Sequence, residues 1–293
     1  MRFEKPEAEI WRQGPNKEDM YYQVERVGRI CYASHSKSDG TLEKAKEFTE
    51  RMLKSGHGEM LEHATVYLKM NSITIDNVMK YLRNPYSIVK WTAELAADKE
   101  NTWYTYYITT NLRVIYTGEY DTFIEAYKNG FDKSWEKDLR LFQCDRTEHH
   151  EERVTVYLIT DRCTGESFIR HRVFSKARES TRACNYTREK FSGISCIWPC
   201  WDMTLEQEHT LTCALEMAEK YYNKLIELGW SAEQARIVLP FDIKSPLAMT
   251  GSVSQWKEFL EVRADSIVGR AHPQSIEIAS IIREKLKEEG LEL

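Results

Sequence analysis

The sequence has no apolar run approaching the roughly 18–20 residues needed to span a bilayer, and its opening, MRFEKPEAEIWRQG, lacks the apolar core of a secretory leader. Both absences predict a cytoplasmic protein with no membrane partner. No CxxC pair occurs. The seven cysteines stand at 31, 144, 163, 184, 196, 200 and 213, a spacing that argues against a zinc site or a disulfide framework and predicts reduced thiols. Nor is there an excess of basic charge. With 41 Lys and Arg against 46 Asp and Glu, the net charge is −5, so a general affinity for nucleic acid has no support and any anion site must be local.

Also missing are a Pro/Gly/Ser-rich linker, an internal repeat and a low-complexity tract, so residues 1–293 read as a single domain. Without βαβαβ alternation, a doubly wound sheet is disfavoured; the pattern predicts an α+β fold, an antiparallel sheet packed with helices and a helix-rich C-terminal half. Eight Trp, sixteen Tyr and ten Phe supply the apolar surface for a sizeable core and exclude disorder.

Periodicity places the elements. Leu42, Ala45, Phe48 and Met52 recur at helical spacing from Thr41 to Lys54, with Gly56 to end the helix. "HATVYLKM" alternates Ala64, Val66, Leu68 and Met70 with polar partners, which predicts a strand. The similar "RVTVYLIT", residues 153–160, predicts a second strand pairing with the first. Residues 75–152 read as an insertion of short helices, aromatic stretches and charged connectors. A helix starting near Thr164 is expected to run into the arginine stretch. Further helices are expected at about 205–228, from a Ser231/Gln234 capping box, at 254–264 and from Pro273 to about Glu289.

"FIRHRVFSKARESTR", residues 168–182, packs four arginines, a lysine and a histidine into one short stretch. It is either a solvated basic face or a built anion site. On a helix, Arg178 and Arg182 would share a face and gain from a bridging phosphate, while Arg170, His171 and Arg172 would fan out toward two ligands or a subunit boundary. "EHHEER" reads as a solvated charge run rather than a metal site, because adjacent His149 and His150 point apart. Cys196 and Cys200 read as buried thiols near a turn.

Arg170, His171 and Arg172, followed after seven intervening residues by Ser180, resemble the RHR-x7-S signature of the flavin-dependent thymidylate synthases. "EMLEHATVYL" with His63, "QARIVLP" with Arg236, "FLEVRADS" with Arg263 and "RAHPQSIEIA" resemble further segments of that family, in its order. The resemblance implies reductive methylation of dUMP to dTMP, with the carbon from methylenetetrahydrofolate and the hydride from FAD that NADPH reduces. It implies a catalytic Arg263 beside uracil N3. Glu179, Ser180, Arg182, Arg236 and Arg178 would bind dUMP; His63, Arg170, His171 and Arg172 would hold FAD. A homotetramer with sites at subunit interfaces is implied, without a metal.

Neither Ser180, which has no neighbouring base, nor Cys184 reads as a nucleophile. The chain departs from the family pattern at Arg178, where an acidic residue is usual, at Ala183, where tyrosine is usual, and at Ser167, where glutamine is usual. These changes motivate an alternative, a catalytically silent paralogue that binds uridine nucleotides or RNA.

Overall fold

The computed structural model describes residues 1–72, 75–95, 102–131, 134–291 and 293. In chain order it forms β1 (Arg2–Glu4), β2 (Glu7–Trp11), α1 (Asp19–Gly28), α2 (Leu42–Lys54), β3 (Thr65–Ser72), α3 (Met79–Leu82), β4 (Ile88–Leu95), β5 (Thr102–Asn111), α4 (Leu112–Thr117), α5 (Phe123–Lys128) and α6 (Ser134–Phe142). There follow β6 (Arg153–Asp161), α7 (Arg162–Phe168), β7 (Ser175–Arg178), β8 (Ser195–Ile197), α8 (Leu205–Glu227), α9 (Ala232–Ala235), β9 (Lys244–Ser252), α10 (Val253–Arg263) and α11 (Pro273–Glu288). The fold is α+β, with antiparallel sheets packed by helices. Among the described residues no helix is long and apolar enough to cross a membrane, and all seven cysteines are free thiols.

The main sheet runs β2-β6-β9-β7 and a second runs β3-β5-β4. The two similar strand words therefore do not pair. β3 pairs with β5, whereas β6 pairs with β2 and β9, because alternation specifies a face and leaves the partner open. Val154, Val156 and Leu158 of β6 pack with Trp256, Phe259, Ile278 and Ile282 of α10 and α11. The opposite face carries a buried polar chain: Gln23 donates to Thr155 at 2.7 Å, Thr155 meets Thr250 at 2.6 Å, and Thr250 meets His63 at 2.7 Å.

The helix ends follow local chemistry. Thr41, Thr204, Ser231 and Ser252 accept from the third residue of their helices, which satisfies otherwise orphaned backbone donors. In the 75–152 segment, Tyr81, Ile108, Leu112 and Phe123 join the same apolar cluster as Val24, Leu61 and Leu68. The charged connector at 98–101 lies outside the described residues. Cys196 is buried, but Cys200, expected to be buried with it, is exposed beyond Pro199.

Candidate active site

The helix expected to continue into the arginine stretch stops at Phe168. Residues 169–174 turn, and 175–178 form β7, an edge strand paired with β9. Ser175 and Ala177 are buried while Lys176 and Arg178 are half-buried, a two-residue period that the basic density concealed. Arg178 and Arg182 therefore do not share a helical face.

Aromatic packing pins the turn. Phe174 meets Trp256 edge-on at 4.6 Å, and His171 meets Phe259 at 4.9 Å. Gly251 of β9 makes room for this, since a Cβ there would sit 2.5 Å from the Phe174 ring. Arg170 and Arg172 are left exposed. Arg263, at the end of α10, reaches back: its Nε donates to Nε2 of His171 and its Nη2 to the Ser167 carbonyl, both at 2.9 Å. His171 must accept at Nε2 and so is neutral. Burial, then the nearby Arg263 and Lys176, push its pKa down to about 4. Lys176 donates to the Ile169 carbonyl at 2.8 Å. Among the described residues, Arg170, Arg172, Lys176 and Arg263 have no carboxylate within ion-pair distance. Cations gathered without anions form an anion site.

A second group lies toward the other end of α7, roughly 10 Å along its axis. Arg178 pairs with Glu166 at 2.7 Å, and Arg162 approaches the same carboxylate at 3.7 Å. One terminal nitrogen of Arg178 is buried without a partner. Arg162, Thr181 and Arg236 line a cleft of about 470 Å³, and Arg236 donates to Thr181 at 3.5 Å. Arg182 is exposed and pairs with Glu233 at 2.6 Å. Sequence reading missed Arg162, which precedes the quoted motif and has no spacing signal of its own; folding alone brings it beside Arg236.

Ser180 lines a neighbouring cleft with Arg182, Cys31, His57 and Met60. Its hydroxyl accepts from the Arg182 amide at 3.3 Å, and among the described residues no base touches it. Glu179 faces away and accepts from the Tyr186 hydroxyl at 2.9 Å. Burial pushes the Cys184 thiol up to about 12, so it remains a protonated core residue rather than a nucleophile. His63 belongs to neither arginine group. It is wholly buried, its Nε2 lacks a partner, and burial lowers its pKa to about 3. His150, one of the adjacent histidines, is buried against the Leu68 carbonyl at 3.1 Å, and no group of three metal-ligating side chains occurs among the described residues.

Residues 146–289 match the family model described as thymidylate synthase complementing protein. A flavin-dependent thymidylate synthase from Thermosipho melanesiensis is 40% identical over 73 residues, 25% of this chain and 32% of that one. A probable flavin-dependent thymidylate synthase from Paramecium bursaria Chlorella virus 1 is 30% identical over 79 residues, 27% of this chain and 33% of that one. The chain thus aligns with about a third of the length of the curated relatives it matches. A solved UMP/dUMP methylase from Streptomyces cacaoi, bound with 5-Br dUMP, aligns at 15% identity and a TM-score of 0.45 over 98% of this chain and 93% of that one. Residues 146–289, where the RHR turn, the Arg236 segment and Arg263 all lie, are thus similar to the thymidylate synthase complementing protein family.

Proposed function

We propose that this protein catalyses reductive methylation of dUMP to dTMP, with methylenetetrahydrofolate as carbon donor and FAD, reduced by NADPH, as hydride carrier. The observation that carries this reading is the set of cations Arg170, Arg172, Lys176 and Arg263 held around a neutral His171 without a carboxylate partner among the described residues. Exposed guanidinium groups suit a pyrophosphate, which they bind through paired donors. FAD in that position would supply the hydride that completes the methyl group. Arg263 is the group we assign to uracil. A fixed positive charge beside N3 favours loss of its proton and moves electron density toward C5, the atom that receives the carbon. Arg236 and Arg162 would hold the phosphate, with Ser180 and Arg182 at its edge.

In one protomer the two arginine groups occupy different ends of α7, so the reading includes a homotetramer in which one copy supplies the RHR turn and another the Arg236 cleft. The pairing of Arg178 with Glu166 and of Arg182 with Glu233 favours the second reading, a silent paralogue that binds uridine nucleotides or RNA, because both guanidinium charges are already compensated. The visible spectrum of the purified protein separates the two. An enzyme shows bound flavin that anaerobic NADPH bleaches, faster with dUMP. Absence of flavin after incubation with FAD would overturn the enzymatic reading.

A further inference from the structure

Glu179 and Ser180 follow β7 directly, and their side chains line different clefts. Ser180 faces the cleft shared with Arg182. Glu179 faces a different cleft of about 330 Å³ with Arg2, Lys190, Lys244 and Tyr157 in its wall. That cleft shares no residue with the clefts of Arg182 or Arg236.

Its charges are arranged unequally. Lys244 is matched by Glu4 at 2.9 Å. Lys190 spends two of its protons on the carbonyls of Tyr32 and Ala33, both at 3.0 Å, and Arg2 donates to the Phe191 carbonyl. Among the described residues neither has a carboxylate partner in ion-pair range. Glu179 is only 9% exposed, and the Tyr186 hydroxyl is its one side-chain hydrogen-bond partner among the described residues. Burying a carboxyl group with most of its acceptor capacity unused is costly. The wall therefore combines an acceptor with unused capacity, two cations without a carboxylate partner and the rings of Tyr157 and Phe191.

We propose that this cleft binds a planar heterocycle with two adjacent N–H donors on one edge and an acidic substituent, the 2-amino-4-oxopyrimidine edge shared by guanine nucleotides and acidic pterins. The donor edge meets Glu179; the acid meets Arg2 and Lys190. A carboxylate accepts such a donor pair in parallel, as it does from arginine. The N3–H of uracil lies between two carbonyl oxygens that a carboxylate repels, so this site disfavours dUMP. The proposal rests on this cleft alone and is independent of the function assigned to Arg263.

Equilibrium dialysis of the full chain against GMP, pterin-6-carboxylate and AMP tests it. AMP carries the acid without the donor pair. GMP or pterin-6-carboxylate is expected to bind saturably, which identifies the source, and AMP at least about tenfold more weakly. Glu179→Gln and Lys190→Ala should each weaken binding about tenfold or more, and Arg236→Ala should leave it unchanged. Thermal melts confirm that each variant is folded, and Lys190 is exposed, so its removal leaves the core intact. Three results overturn the proposal: no saturable binding of either ligand up to about 1 mM, equal binding of AMP, or binding lost in Arg236→Ala but kept in the Glu179 and Lys190 variants.

Discussion

Arg263 gains its position from two acceptors, the His171 ring and the Ser167 carbonyl, rather than from a counter-ion. Its charge is therefore available to substrate. Arg263→Ala is expected to lower kcat by about 10²–10³-fold, the cost of losing one preorganised group at a developing charge, while the thermal melt changes little; steady-state kinetics check this. Cys184→Ala should keep most activity, since a buried thiol raised to about 12 is not a nucleophile; an inactive variant with normal flavin content would oppose it. Acid acts through buried histidine. His63, ordinarily near 6.5, is held down to about 3, so below pH 6.5 the unfolded chain binds a proton that the folded chain refuses. Stability is full above the unfolded pKa and falls by about 1.4 kcal/mol per pH unit below it. Melts between pH 7 and 4 should show Tm falling with pH, with a smaller fall in a folded His63→Gln variant.

At the scale of elements, the turn that carries Arg170 and Arg172 depends on a missing side chain elsewhere. Gly251→Ala would drive a methyl group to 2.5 Å from the Phe174 ring in a strand that cannot retreat. The expected result is a loss of about 1–3 kcal/mol, measured by urea unfolding, with weakened flavin binding because the arginine turn shifts. Several helices were legible in the sequence: Ser231 and Gln234, Pro273 and Gly290 mark their ends by local hydrogen bonding and backbone freedom alone. β7 was not. "SKAR" is too short to outweigh its helical neighbourhood, and its alternation acquires meaning only when Ser175 and Ala177 find a floor and Lys176 pairs with Met249.

For the whole molecule, the separation of the RHR turn from the Arg236 cleft gives a test of assembly. Arg172→Ala and Arg236→Ala chains are each expected to be inactive. Co-expressed, they should recover about a quarter of the wild-type sites if each site draws on two copies in a closed symmetric oligomer. Activity assays on mixed oligomers sized by light scattering check this, and mixed oligomers without recovery would place all contacts within one chain. The contribution of Tyr81, Ile108 and Phe123 to the main apolar cluster was not legible in the sequence, because burial depends on what lies opposite.

The sequence by itself determined the capped ends of several helices, the faces of its strands and the presence of an arginine-rich motif, because these rest on spacing and on contacts within a few residues. Tertiary structure decided the rest. It set which strands pair, since alternation carries no address. It turned the arginine stretch into an edge strand, since burial of two small side chains outweighed local propensity. It also brought Arg162 beside Arg236, and sent Glu179 and Ser180 into different clefts, since only the packed sheet puts distant residues within reach of one ligand.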